Sequence, residues 1–183
     1  MNNETIILAG GCFWCTEAIF KRLKGVASVT PGYSGGDVEN PTYEQVTTGK
    51  TGHAESIKIE YDPSQISLKH LLDVFWHTHN PTELNRQGND LGTQYRSAIF
   101  YQNQEQNKVI QESLKVLKES NYYSEPIVTI IEEYKNFYPA EDYHKDYFDN
   151  NPNKPYCTYV ITPKIAKLMD FYKKDVKQEY LKS

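Results

Sequence analysis

Two cysteines, Cys12 and Cys15, lie where a short apolar segment gives way to a segment with helical periodicity. Residues 5–9 are continuously apolar, as expected of a strand covered on both faces, and Gly10 and Gly11 then permit a tight turn. Cys12 is therefore predicted at a helix N terminus, where unpaired N–H groups and the helix dipole favour the nucleophilic thiolate. A C-x-x-C pair at such a junction is typical of thiol redox chemistry. The alternative is a pair of small buried hydrophobic residues.

The overall composition limits the classes of protein that this chain can represent. Its 183 residues predict a single catalytic domain over 1–183, with about 151–183 as a C-terminal segment packed on it. The net charge of -4 argues against nucleic acid as a partner, and no apolar run approaches the ~20 residues of a membrane helix. Without a secretory signal, we expect a cytoplasmic monomer. Three cysteines do not suit a disulfide-stapled fold, so catalysis or metal binding is their expected role.

The apolar pattern predicts a chain that alternates strands and helices. The first helix is predicted over 13–24, and a second strand is followed by a loop over 30–52 that is rich in glycine and proline. Period-two alternation makes 53–61 the clearest strand, and Thr162 and Pro163 are predicted as the N-cap and first residue of a final helix. We predict an α/β (α+β) fold: a two-layer sandwich with a mixed sheet on a split βαβ, ferredoxin-like core, plus long loops and a C-terminal helix.

Glu55 is the acidic residue whose position suggests chemistry, because it shares a strand face with Ile57 and Ile59. A carboxyl on a buried face is desolvated, so its pKa rises and it can stay protonated near neutrality as an acid. The alternative is a strand-end residue that reaches solvent. Tyr43, in a predicted helical turn, and Tyr95, at the start of a later strand, either supply phenolic donors to the same cavity or serve only in packing.

Metal binding and proteolysis are weaker interpretations of the cysteines and histidines. His77 and His79 are two positions apart on a predicted helix end, so they do not share a face, and a zinc site would need both Cys12 and Cys15 folded over them. The local sequence signature of papain-like proteases is absent. We therefore predict neither a zinc site nor a cysteine protease.

A family resemblance is carried by Gly11-Cys12-Phe13-Trp14 followed by Glu17, which is similar to the signature of the peptide methionine sulfoxide reductase A family. Five further blocks resemble that family's other motifs and occur in its order. They are GYSGG (32–36), NPTY (40–43), TGHAE (51–55), RQGNDLGTQYRS (86–97) and AEDYH (140–144). The resemblance covers most of the chain.

The resemblance implies a role for each residue of a catalytic site. Cys12 is the nucleophile, Glu55 the acid, Tyr43 and Tyr95 the donors to the sulfoxide oxygen, and Asp90 a carboxylate that shapes the site. The implied reaction converts methionine-S-sulfoxide, free or in oxidised proteins, to methionine and leaves a sulfenic acid on the nucleophile. The two epimers of methionine sulfoxide are in general reduced by two different enzymes.

The resemblance also implies how substrate and reductant are used. Phe13 and Trp14 form the pocket for the S-methyl group, and their ring faces attract the positive charge that develops on sulfur. No cofactor or metal is required. The sulfenic acid condenses with a second thiol to a disulfide, which thioredoxin reopens by exchange.

Two cysteines compete for the role of resolving thiol. Some family members carry a glycine-rich C-terminal tail with recycling cysteines. Cys157 has no such glycine run beside it, and its alternative role is that of a buried strand residue. Cys15, one helical turn from Cys12, is favoured by reach, with Cys157 as the alternative. Glu17 is expected only to stabilise the first helix through the dipole and local hydrogen bonds.

Two other functional classes stay open from the residues alone. The first is a thioredoxin-like disulfide oxidoreductase that uses Cys12 and Cys15 and has no need of Glu55. The second is a non-catalytic module that binds methionine-bearing peptides in an aromatic pocket.

Overall fold

A computed structural model describes residues 2–182 of the chain. Its strands are β1 (Glu4–Gly10), β2 (Val26–Ser34), β3 (Ala54–Tyr61), β4 (Arg86–Gln87), β5 (Asp90–Leu91), β6 (Ser97–Tyr101), β7 (Ile130–Glu133) and β8 (Tyr138–Pro139). Its helices are α1 (Phe13–Phe20), α2 (Tyr43–Thr47), α3 (Leu68–Thr78), α4 (Gln104–Glu119), α5 (Tyr147–Asn150) and α6 (Thr162–Tyr172). Short 3-10 segments include Thr93–Tyr95 and Asp142–His144.

Six strands form one mixed sheet in the order β7-β6-β1-β3-β2-β8, and β4 pairs with β5 in a separate hairpin. The inner pairs are antiparallel, whereas β6 and β7 are parallel. Because β3 lies between β1 and β2, the first βαβ unit is split, and β6-β1-β3-β2 is the strand order of a ferredoxin-like core. The predicted fold class is confirmed.

The core lies between this sheet and its helices. Ile57 and Ile59 of β3 share one buried cluster with Phe13 and Phe20 of α1, and Leu71 of α3 joins them. A smaller cluster that includes residues of β1, β3 and β6 forms apart from it. The alternation predicted for β3 therefore points one face of that strand at α1. α6 packs against α1 and α3, which joins the C-terminal segment to the rest of the chain.

Two predicted boundaries in the first half of the chain are wrong. α1 ends at Phe20 rather than at residue 24, and β2 continues to Ser34 although a loop was predicted from residue 30. The extra strand forms because residues 30–34 pair with β3. Glycine suits position 32 because it has no Cβ, and a Cβ at this position would lie only 2.4 Å from the ring of Phe137.

The predicted start of the last helix is also wrong. Helical structure begins at Pro155, and a π-helical stretch over Cys157–Ile161 runs directly into α6. Pro163 has no N–H and so cannot make the helical hydrogen bond to the preceding turn. The Thr162 hydroxyl donates instead to the carbonyl oxygen of Cys157 at 3.1 Å. Cys157 is thus a helical residue and not a strand residue.

Across residues 2–182, no helix has the length and apolar character needed to cross a membrane.

Candidate active site

Cys12 is the N-cap residue of α1, as the glycine turn and the helical periodicity predict. Its carbonyl oxygen accepts from the backbone N–H of Cys15 at 3.1 Å, and its side chain is 6% exposed. Gly11 has a φ of +90°, and a Cβ there would lie 2.7 Å from the side chain of Gln87. Glycine at this position therefore lets the β4–β5 hairpin pack beside the cysteine.

Glu55 lies on the buried face of β3 and is 2% exposed, so the alternative of a solvent-exposed strand end is excluded. Its Oε2 accepts from the backbone N–H of Phe13 at 3.0 Å, which holds the carboxyl next to the N terminus of α1. Burial, with the charge of Asp90 adding to it, raises the pKa of Glu55 to about 8. The carboxyl is therefore mostly protonated at neutral pH and can donate a proton.

Tyr43, Tyr95 and Asp90 lie around Cys12 and Glu55. Burial raises the pKa of both phenols, and the charges of Glu55 and Cys12 raise it further. The structure thus brings the five predicted catalytic side chains together. Tyr95 belongs to the 3-10 segment Thr93–Tyr95 rather than to the strand predicted for it.

Cys12 and Cys15 lie in one buried cluster, and their pKa values shift in opposite directions. Burial raises the pKa of Cys12 well above its ordinary value, and a hydrogen bond to Cys15 and the charge of Glu55 add to the effect. The same hydrogen bond lowers the pKa of Cys15 to about 7. A backbone N–H of the helix N terminus does favour the Cys12 thiolate, but burial outweighs it. Burial therefore opposes the ionisation of Cys12 that the helix N terminus favours.

The two aromatic residues of the predicted methyl pocket have different environments. Phe13 is fully buried, and its ring centroid lies 4.9 Å from that of His144. Trp14 is half-buried, stacks on Tyr147 at 3.7 Å between centroids, and donates from Nε1 to Nδ1 of His144 at 3.0 Å. Trp14 can therefore present a ring to a ligand, whereas Phe13 supports the site from behind.

Residues of the C-terminal third complete the site, and of these Tyr156 was not singled out from the sequence. The Tyr156 hydroxyl donates to Oδ2 of Asp90 at 2.6 Å and lies 3.7 Å from Sγ of Cys15. Cys157 is fully buried in one cluster with Cys12 and Cys15. In this third of the chain the sequence marked the AEDYH block and Cys157, but no local pattern marked Tyr156.

Glu17 does not act locally, contrary to the prediction. It is 2% exposed, and its Oε1 accepts from the backbone N–H of Asp146 at 2.9 Å, a contact between residues 129 positions apart. Burial raises its pKa to about 7. Its contact therefore joins α1 to the segment that carries His144 and Tyr147.

The site combines a cysteine at a helix N terminus, a second thiol nearby and a buried carboxyl that retains its proton. Together these groups define the site of a thiol-dependent oxidoreductase. Protonated phenols beside them indicate a substrate with an oxygen atom that must accept hydrogen bonds.

Comparison with known proteins agrees with this class. The family model described as peptide methionine sulfoxide reductase matches residues 4–177. The peptide methionine sulfoxide reductase MsrA of Sulfolobus acidocaldarius is 53% identical over 91% of this chain and 93% of its own length. That of Deinococcus radiodurans is 53% identical over 92% of this chain and 82% of its own length.

Two solved structures extend the match to the fold. Mxr1 from Saccharomyces cerevisiae in reduced form has a TM-score of 0.71 and 36% identity, covering 85% of this chain and 89% of that one. Methionine sulfoxide reductase A of Corynebacterium diphtheriae has a TM-score of 0.74 and 34% identity, covering 83% and 76%. The chain belongs to the peptide methionine sulfoxide reductase A family and is a peptide-methionine (S)-S-oxide reductase.

Proposed function

We propose that the chain repairs oxidised proteins by reducing methionine-S-sulfoxide, free or in polypeptides, and that residues 1–183 act as one catalytic domain. The observation that carries the proposal is the buried Glu55 carboxyl, which keeps its proton beside Cys12. A disulfide oxidoreductase has no use for such an acid, whereas a sulfoxide has a poor leaving oxygen that requires one.

The first chemical step uses the acid and the nucleophile together. Glu55 donates its proton to the sulfoxide oxygen, which makes the substrate sulfur electrophilic, and Cys12 attacks as the thiolate. The oxygen is transferred in net terms to Cys12, so the products are methionine and a Cys12 sulfenic acid. Cys12 is oxidised by two electrons and the substrate sulfur is reduced by two.

The remaining site residues position the substrate and stabilise charge. Tyr43 and Tyr95 stay protonated and donate hydrogen bonds to the sulfoxide oxygen, and Asp90 orients the site through Tyr156. The ring of Trp14 lies beside the S-methyl group, where its face stabilises the positive charge on sulfur. These residues supply the chemistry without a cofactor.

The sulfenic acid is converted to a disulfide, which thioredoxin reduces by thiol exchange. Three free cysteines in the described residues suit a reducing compartment, which supports a cytoplasmic location.

The proposal is tested by supplying each epimer of a blocked methionine sulfoxide with dithiothreitol and measuring the methionine formed. We expect product from the S epimer only. If neither epimer is reduced and a model disulfide is, the thioredoxin-like alternative that uses Cys12 and Cys15 is correct.

We propose Cys15 as the resolving thiol. Cys15 lies one helical turn from Cys12 in the same buried cluster, which places it within reach of a Cys12 sulfenic acid, and its pKa of about 7 makes it a ready nucleophile. Cys157 lies in the same cluster as Cys12, so distance does not prevent the two thiols from reacting. Burial, however, raises the pKa of the Cys157 thiol. Cys157 is thus the less nucleophilic of the two.

Replacing Cys15 with serine is therefore expected to stop cycling on thioredoxin, while about one methionine per enzyme is still released because the first step needs only Cys12. Cys157→Ser is the matched control and should keep cycling. Peptide mapping after one oxidising turnover should find a Cys12–Cys15 disulfide. A Cys12–Cys157 disulfide in the wild type, with Cys15→Ser still cycling, would assign the role to Cys157.

A further inference from the structure

Residues 142–150, here called the cover segment, lie over the candidate site and include the two residues that fix Trp14. His144 accepts from the Trp14 indole N–H at 3.0 Å, and Tyr147 stacks on the indole ring with an interplanar angle of 6°. The orientation of the Trp14 ring therefore depends on where the cover segment is held.

The cover segment is anchored between these two residues by Glu17. Asp146, which precedes Tyr147, has a φ of 55°, a left-handed conformation that is uncommon for residues other than glycine. Such a conformation persists where the surroundings hold it. The carboxyl oxygen of Glu17 accepts from the Asp146 N–H at 2.9 Å, and Glu17 is almost fully buried. This contact holds the backbone between His144 and Tyr147.

Two cations that directly follow α1 support the anchor. Lys21 pairs with both Asp146 and Asp149, and Arg22 donates to Asp149 at 2.7 Å while lying over the ring of Phe148. Ion pairs that are partly open to solvent contribute little individually. The Glu17 contact differs from these ion pairs because it holds the Asp146 backbone directly, from a side chain that is almost fully buried.

We propose that Glu17 is a positioning residue for the methyl pocket, acting through Asp146 and the cover segment on the ring of Trp14. The inference rests on the proposed function, because it takes Trp14 as the residue beside the S-methyl group. It gives Glu17 a task beyond the stabilisation of α1. Cys12 and Glu55 do not touch the cover segment through any hydrogen bond of the described residues, so substrate binding should suffer more than the chemical step.

The test compares Glu17→Met with Glu17→Gln. Methionine matches the length of glutamate and fills the space but accepts no hydrogen bond of normal strength, which leaves the buried Asp146 N–H unpaired. We expect KM for the blocked sulfoxide to rise about tenfold, the effect of losing one buried hydrogen bond, with kcat nearly unchanged. Glutamine keeps an Oε1 acceptor and should restore the wild-type KM.

The chain provides an internal spectroscopic reference because it contains two tryptophans. The Trp14 indole N–H bonds to His144, whereas that of Trp76 bonds to Ser113. In ¹⁵N-correlated spectra of the Glu17→Met protein, we expect the Trp14 indole signal to move and the Trp76 signal to stay.

Gln106→Leu is the control for a general loss of stability. Gln106 is 5% exposed and makes equally buried hydrogen bonds, to Thr5 and Gln102, within the β1–α4 region. This variant should lower Tm without changing KM or the Trp14 signal.

The outcomes separate the inference from the function on which it rests. An active wild type together with a Glu17→Met protein of unchanged KM and unmoved Trp14 signal would overturn the role of Glu17, as would a fall in Tm alone. An inactive wild type would refute the proposed function, yet the indole signals would still report on the anchor. If Glu17→Met does not fold, hydrogen exchange of the Asp146 amide in the wild type decides: fast exchange contradicts a buried anchor.

Discussion

Cys12→Ser is expected to reduce methionine formation to background in both multiple and single turnover. The serine hydroxyl is not ionised at neutral pH, so the site loses the group that attacks the sulfoxide sulfur. The substitution exchanges one small buried atom for another at the N-cap of α1, where serine is well tolerated, so the fold should persist. Single-turnover product analysis by chromatography, with circular dichroism and Tm as checks of folding, measures this.

Cys15→Ser is the matched control for that experiment. It alters a thiol of the same pair but leaves Cys12 in place, so one methionine per enzyme should still form. Near-normal product from the Cys12→Ser protein would mean that another group attacks the substrate, and the proposed mechanism would have to be abandoned.

Glu55→Gln is expected to slow the reduction step by ~10²–10⁴, the usual contribution of general acid catalysis. Glutamine keeps a similar shape and can still accept from the Phe13 N–H, so the loss reports on the proton rather than on packing. Rapid-quench measurement of the first turnover isolates this step from recycling. Glu60→Gln, on the same strand but only half-buried and bonded to Ser28, is the control and should react at the wild-type rate.

The pH dependence gives this prediction a second readout. The reactive form requires protonated Glu55 and ionised Cys12, so the wild-type rate should rise with pH up to about 8. Above that value the loss of protonated Glu55 offsets the gain in thiolate, because the pKa of Cys12 is higher, and the rate should level off. The Glu55→Gln rate should keep rising about tenfold per pH unit until Cys12 is ionised. A shared plateau in both proteins would show that Glu55 is not the acid.

The sequence by itself determined the features that depend on neighbours along the chain. Gly10 and Gly11 end a strand and place Cys12 at a helix start because only local backbone geometry is involved. Period-two alternation places Glu55 on the face shared with Ile57, because successive residues of a strand point to opposite sides. The motif order then indicates the family, and with it the ferredoxin-like core.

The tertiary structure alone decided the features that depend on distant segments. The raised pKa of Cys12 follows from burial and from the approach of Cys15 and Glu55, and these effects have no local signal in the sequence. The strand pairing that extends β2 depends on β3 in the same way. Glu17 reaches Asp146 across 129 positions, so a residue that reads as a local helix stabiliser acts instead on the far end of the chain. Periodicity cannot show such contacts, because it records which face a side chain occupies and not which segment covers that face.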